Sequence, residues 1–197
     1  MTEQVGPAPR KLLKREDRVA SILAAAARAF AVGGFAATSM EDIAAEAGVT
    51  KLIVYRHFAT KQELYERVLD HTRQRLQQAL RFRERETSQD MIGELLAAAR
   101  AEPEAFTLLF RHSAREPQFA GYVGAFRARA VAVGERALAE AVPDPTVRRW
   151  LAATSFSLVI DGILHWLEHG DADRDAEIAT YLGRLAVSAV AAVTMPA

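Results

Sequence analysis

The stretch from Ile43 to Phe58, IAAEAGVTKLIVYRHF, leaves a chain few ways to fold. Ile43 and Ala44 close one short run of helical periodicity, and Val54 and Phe58 belong to a second. Between the runs stands Gly48, where a sharp corner needs φ > 0, a conformation that costs a residue bearing a Cβ on the order of 1 kcal/mol or more. Ala44, four residues earlier, is small where two helices must cross closely. This spacing predicts a helix-turn-helix. An ordinary αα corner has the same spacing, so spacing alone leaves both readings open.

The rest of the chain is punctuated in the same helical manner. Alanine, leucine, glutamate and arginine are abundant, and β-branched clusters with period-2 alternation are missing, so the predicted fold is all-α with about nine helices. Val19, Ile22, Leu23, Ala26 and Phe30 predict a first helix over 14–32, stopped by Gly33 and Gly34. Ser39 and Asp42 form a capping-box-like pair that opens a second helix, ending just before Gly48. A third helix follows over 51–57. A fourth starts after Thr60, with a capping box completed by Glu63, and runs as far as Leu80. Glu102-Pro103 and Asp144-Pro145 each place proline at a first helical position, and Glu116-Pro117 marks another boundary. Further helices are expected over 88–101, 103–113, 118–141, 146–169 and 174–193. The division expected is a flexible N-terminal arm (1–13), a three-helix head (14–60) and a larger helical domain (61–197).

Composition excludes more than it assigns. Twenty-five Lys and Arg balance 25 Asp and Glu, so any contact with nucleic acid has to come from a local patch. Without cysteine there is no disulfide framework, thiolate-bound zinc or thiol nucleophile. The N-terminus has no apolar signal region, and no stretch is read as approaching a spanning helix of about 20 apolar residues. The expectation is a cytoplasmic protein with no membrane partner.

A local patch is suggested by a repeated oddity. Thr50-Lys51 and Thr60-Lys61 each precede an apolar-periodic run, so each threonine reads as an N-cap and each lysine falls on a first turn. There the helix dipole disfavours a cation by roughly 0.3 to 1 kcal/mol. A phosphate completing the arrangement reverses the sign, because unsatisfied N–H groups at a helix start attract anions. The two lysines are therefore expected to be phosphate clamps. Arg10, Lys11, Lys14 and Arg15 read either as a solvated basic tail or as an arm that follows the phosphate backbone.

The segment TSMEDIAAEAGVTKLIVYRHFATKQELY also resembles the signature of the tetracycline-repressor (TetR) family. The resemblance spans 20–69 and rests on the ordered combination of Ile43-Ala44, Gly48-Val49, Tyr55-Arg56-His57-Phe58 and Lys61. It implies a three-helix DNA-binding domain followed by a larger helical domain for ligand binding and dimerisation. It further implies that Thr38 or Ser39, Thr50, Tyr55, His57 and Lys61 touch phosphates, with Arg56 beside them. Helix 3 then enters the major groove with Lys51, Leu52 and Ile53 closest to base edges. The family more often has a small or polar residue at one or both of positions 52 and 53. Leu52 and Ile53 can discriminate mainly by thymine-methyl contact, whereas Lys51 can reach guanine O6 or N7. Ile53 reads equally well as an inward-facing residue, Tyr55 also as a core tyrosine, and His57 also as a C-terminal cap.

For the larger domain the expectations are broader. Trp150, Leu151, Thr154 and Leu158, with Leu182, Leu185, Ala186, Ala189 and Val193, supply either a homodimer contact or an intramolecular core. Phe106, Phe110, Phe119, Tyr122, Phe126, Phe156 and Trp166, with His112, Asp161 and His165 as polar groups, line an apolar cavity or pack without one. The family resemblance implies a small-molecule effector there and a double-stranded DNA operator as the other partner. A repressor released from a pseudo-palindromic operator is the reading preferred. It needs no cofactor.

Two rivals remain. A helical binding module without DNA binding shares the fold. HWLEH, with His165, Glu168 and His169, fits the H-x-x-E-H pattern of zinc hydrolases, yet no distant third ligand stands out. No nucleophile-base pair, glycine-rich phosphate loop or convergent acid pair appears elsewhere, so no catalytic residue is assigned and an enzyme is not expected.

Overall fold

The computed structural model of the chain describes residues 15–80 and 88–194. Among these residues there are nine α-helices and no strand, in agreement with the all-α reading. The proposed arm, with Arg10, Lys11 and Lys14, lies outside them, as does much of the polar run after Leu80.

α1 (Arg15–Ala37) bends at Gly34, whose φ of 72° takes it out of helical geometry. The Gly33-Gly34 stop thus acts at its second residue, and Phe35 to Ala37 form a further short turn. α2 (Met40–Glu46) opens with the full reciprocal capping box of Ser39 and Asp42. Ser39 Oγ accepts from Asp42 N (3.1 Å) and Asp42 Oδ2 accepts from Ser39 N (2.8 Å). α3 (Lys51–His57) keeps the expected bounds. α4 (Lys61–Ala79) starts with Thr60 Oγ1 accepting from Glu63 N (3.0 Å), but Glu63 Oε2 accepts from Ala59 N (2.8 Å) rather than from Thr60 N. The cap at Thr60 is therefore one residue wider than the reciprocal box.

In the larger domain α5 (Ser88–Ala101) meets α6 (Pro103–Thr107) at Glu102, with Pro103 in the first turn. The segment expected as a single helix to residue 113 is instead three short pieces. After α6 the chain loosens into a π-helical turn (Leu108–His112) and then tightens into a 3₁₀ turn (Ser113–Arg115). α7 (Ala120–Ala137) follows. α8 (Pro145–His169) is capped by Asp144, which accepts from Thr146 N (2.7 Å) and Val147 N (3.0 Å). A 3₁₀ turn (Ala172–Arg174) leads into α9 (Asp175–Thr194).

α1 packs on α2 and α4, α7 on α8, and α9 between α5 and α8. One apolar core is continuous through these layers. It runs from Ile22, Ala26 and Phe30 through Leu64 and Leu69 to Leu96, Leu109, Ile163 and Leu164. Where head and larger domain meet, Tyr65 of α4 is fully buried among Phe30, Phe35 and Phe119, with ring centroids 4.9, 5.1 and 4.3 Å away.

One expectation about hydropathy is overturned. Three helical stretches, Arg15–Ala37, Pro145–His169 and Ala172–Val193, are long and apolar enough to cross a membrane by length and composition, with mean hydropathies of 1.7, 1.3 and 1.4. Their alanine-rich runs are apolar on average although charged residues flank them. In the fold the first of these helices packs on α2 and α4, and the other two pack on each other and on α5, with α7 against α8.

Candidate nucleic-acid interface

The corner between α2 and α3 is made by hydrogen bonds of the main chain. Ala47 N donates to Ile43 O (2.9 Å), Gly48 N to Ala45 O (3.1 Å) and Val49 N to Ala44 O (3.0 Å). Gly48 has the positive φ its position demands, 63°. Ile43, Ala44, Val54 and Phe58 are buried against α1 and α4. That anchoring fixes the outward face of α3.

On that face Lys51, Leu52, Tyr55 and Arg56 are exposed, Leu52 by 70% and Tyr55 by 43%. A leucine so far out of the core has no stabilising role in the free chain, since burial is what makes an apolar side chain favourable. Ile53 is half-buried and packs against the core, in line with its inward alternative. His57 is half-buried beside Phe58, ring centroids 6.4 Å apart. Thr50 occupies the N-cap position of α3 with extended backbone, but its side chain makes no capping bond, and it is exposed. No acidic residue lies in α3.

Two residues are placed differently from what their assigned roles require. Thr38 is 4% exposed. Its Oγ1 donates to Gly34 O (2.7 Å) and lies 3.2 Å from Ala29 O, so it fastens the bend of α1 rather than facing outward. Ser39, half-buried, is committed to the α2 cap.

The lysine pair needs a larger correction. Lys61 does not wait for a phosphate in the free chain. Its Nζ donates to Phe35 O (2.8 Å) and Ala36 O (3.2 Å) and sits over the Phe35 ring, 4.7 Å from the centroid. It therefore caps the carbonyl end of α1, where a cation is favoured, and this offsets its unfavourable place at the start of α4. Lys51 pairs with the Glu41 carboxylate on the first turn of α2 and lies 5.5 Å from the Tyr55 ring centroid. The hydrogen bond to Glu41 raises the Lys51 ammonium above its ordinary value and lowers Glu41 below its own. Both side chains of this pair are about half exposed, 49% and 56%, so the ammonium can exchange one anion for another. Glu41, Phe35 and Ala36 had no local signal as partners of these lysines. They lie 10 to 26 residues away in sequence.

The signature these residues carry is matched as a unit: residues 22–68 fit the family of "Bacterial regulatory proteins, tetR family". The chain belongs to the TetR family. It is a DNA-binding transcriptional regulator, and α3 is the second helix of its helix-turn-helix. The regulator is 29% identical over 188 residues to the HTH-type transcriptional activator FasR of Mycolicibacterium smegmatis, covering 84% of this chain and 80% of that protein. Over 57 residues it is 53% identical to the HTH-type transcriptional repressor Rv3405c of Mycobacterium tuberculosis, which is 29% of this chain and 30% of that one. The fold matches a crystallised TetR-like transcriptional regulator from Rhodococcus sp. RHA1, with a TM-score of 0.72, 21% identity, and 89% and 98% of the two chains covered.

Behind the head of this TetR-family regulator the expected aromatic residues divide into two groups. Phe106, Phe110, Phe126 and Phe156 form one cluster, with centroid separations of 4.6 Å (Phe106 to Phe110), 5.5 Å (Phe110 to Phe126) and 6.2 Å (Phe126 to Phe156). A cavity of about 30 Å³ adjoins it, lined by Gln77, Leu80, Phe126, Arg129 and Ala130. That is room for about one water-sized group. Tyr122 and His112 are half-buried nearby in sequence. Burial is the main cause that pushes the Tyr122 phenol up and the His112 imidazole down. Phe119 belongs instead to the Tyr65 cluster at the junction with the head. Asp161 and His165 point outward from α8 and are exposed. Trp166 is held by its indole N–H, which donates to Asp175 Oδ1 (2.7 Å).

The expected dimer residues divide as well. Leu151 and Leu182 are 2% and 7% exposed and pack within the protomer. Trp150, Leu158, Leu185 and Val193 are exposed by 57, 36, 54 and 45%. Thr154 and Ala189 are exposed beside them, and Ala186 is half-buried.

Proposed function

We propose that this regulator is a homodimeric repressor that reads a pseudo-palindromic DNA operator with α3 and releases it when a small apolar effector binds the larger domain. The observation that carries the reading is the outer face of α3, where Leu52 and Tyr55 are exposed beside Lys51 and Arg56 on a helix held rigidly from behind by Val54 and Phe58. Residues 14–60 act as the reading head and 61–197 as the effector and dimer domain. Lys51 and Arg56 contact phosphates or guanine edges, Leu52 and Tyr55 contact thymine methyls or the sugar-phosphate chain, and Thr50 and His57 flank them. Lys51 leaves Glu41 for DNA in this scheme. Lys61 positions the head by joining α4 to the end of α1 through its ammonium, which lies over the Phe35 ring.

The outward stripe of Trp150, Thr154 and Leu158 on α8, with Leu185, Ala189 and Val193 on α9, is the proposed contact with a second copy. So much exposed apolar surface on two adjacent helices favours a partner. Two heads then address half-sites about 34 Å apart or a multiple of it. The cluster of Phe106, Phe110, Phe126 and Phe156 is the proposed effector site. Its small void means that an effector enters by displacing rings, and the displacement reaches the head along α4, which carries Gln77 of the void lining at one end and, at the other, Lys61, bonded to the end of α1. A coupling of about 1–3 kcal/mol lowers operator affinity roughly 5- to 150-fold. Its proposed place is the cytoplasm, without a membrane partner and without catalytic activity.

The test is a gel shift on DNA selected from a random pool, run at two salt concentrations and then against an effector panel. Steep weakening at the higher salt is expected. Binding that is indifferent to salt and to sequence would favour the helical module without operator recognition.

A further inference from the structure

We propose that His165, Glu168 and His169 form a site for one divalent transition-metal ion of the zinc, nickel or copper class on the outer face of α8. Their potential ligand atoms lie within 4.8 Å of one another, and all three residues are exposed. Spacings of i, i+3 and i+4 put them on one face of a helix, and the two imidazole rings are 4.5 Å apart. Bonds of about 2.0–2.2 Å to a tetrahedral ion bring donor atoms to about 3.4 Å from one another. Rotation about the side-chain torsions of exposed residues covers that difference.

The neighbouring hydrogen bonds suit such an ion. His169 Nδ1 lies 3.1 Å from His165 O. Donation from Nδ1 to that carbonyl leaves the Nε2 lone pair free, the arrangement in which a metal-bound imidazole is held by its second nitrogen. Arg111, from the π-helical turn, donates to Glu168 Oε1 and leaves Oε2 for the ion. Two imidazoles and one carboxylate favour zinc, nickel or copper over magnesium or calcium, which prefer sets of oxygen ligands. A fourth position stays open to water, so the site holds an ion without the buried, shaped cavity that metal-assisted hydrolysis needs.

The experiment uses the full chain without an affinity tag, stripped with a chelator and titrated with Zn²⁺ in competition with a chromogenic indicator. Zinc content is measured after gel filtration, and helical content by circular dichroism on the same samples. One zinc per chain is expected. His165→Ala and His169→Ala should each weaken binding by at least roughly tenfold, and Glu168→Gln by a smaller factor. His71→Ala, outside the trio and next to Glu102, should leave it unchanged. Gel shifts in chelator should be the same for all four variants, which separates this site from operator reading. Equal zinc retention by the folded His165→Ala/His169→Ala variant, no retention by the parent, or one ion per two chains would overturn the single-chain site.

Discussion

At the scale of single residues, Lys51 and Lys61 show how one dipole argument has two resolutions. Both sit on a first helical turn, yet Lys61 is spent on the carbonyl end of α1 and Lys51 on a replaceable surface carboxylate. Their alanine variants should therefore differ in kind. Lys61→Ala is expected to lower stability by about 1 kcal/mol in urea titrations, because hydrogen bonds from a charged donor to two carbonyls are lost, and to weaken all DNA sequences together. Lys51→Ala should leave the urea midpoint unmoved and change sequence preference in a random-pool selection. If the two variants prove interchangeable in both assays, this separation of roles is wrong. Tyr65 offers a second test. Its hydroxyl is buried without a hydrogen-bond partner among the described residues, and burial, with Glu116 second, pushes the phenol up to about 12. Tyr65→Phe keeps the aromatic cluster and removes the orphaned group, so a gain of about 1 kcal/mol is expected. A loss of that size would mean that the hydroxyl has a partner.

At the scale of elements, α5, α8 and α9 are tied at one carboxylate. Asp175 accepts from Arg100 Nη2 (2.8 Å) and Nε (3.1 Å), and from the Trp166 indole. Arg100 chiefly, and Trp166 after it, hold this carboxyl below its ordinary value of 3.8 against the opposing effect of burial. A lowered folded-state value means that the unfolded chain takes the proton more readily. The contribution is therefore full above the ordinary value and disappears as pH falls through the lower folded one. Asp175→Asn should cost about 1–2 kcal/mol at pH 7, and its denaturation midpoint should converge with the parent's in that acid window. Parallel curves down to the lowest pH would show that the charge contributes nothing.

Elements were also where the sequence was most legible. Ser39 with Asp42, Gly48, and Asp144 with Pro145 carry their geometry in neighbouring residues, so α2, the corner, α3 and the start of α8 could be read directly. The π-helical turn could not. Nothing in LLFRH marks it, and its apolar residues Leu108, Leu109 and Phe110 are buried together with Phe106 in a way that helical periodicity does not encode. The same holds for partners. Glu41, Phe35 and Phe119 meet their contacts only after folding, and Leu151 and Leu182 are buried within the protomer, where α8 packs on α7 and α9.

At the scale of the whole molecule, the exposed apolar stripe on α8 and α9 is where the proposed pairing of two heads is tested. Leu158→Glu with Leu185→Glu places charges in the proposed contact at positions that do not support the internal core, so the protomer should fold normally. Sedimentation should then report a monomer, and operator affinity should fall by at least roughly tenfold, because one corner alone buries too little surface. A dimer of unchanged strength would move the contact elsewhere. The head and the larger domain also touch apart from α4, since Phe119 stacks on Tyr65 and Phe35. The proposed signal from the larger domain thus would have two routes, one through the covalent helix and one through packed rings.

The π turn at Leu108–His112 carries a consequence of its own. Such a turn accommodates one residue more than a regular helix of the same height. Losing a single codon there would restore ordinary winding while the turns on either side kept their register. Only side chains within the turn, Phe110 among them, would be re-aimed, though no aromatic residue outside it had moved. Descendants of this gene could thereby acquire a different interior in one step of deletion rather than many of replacement.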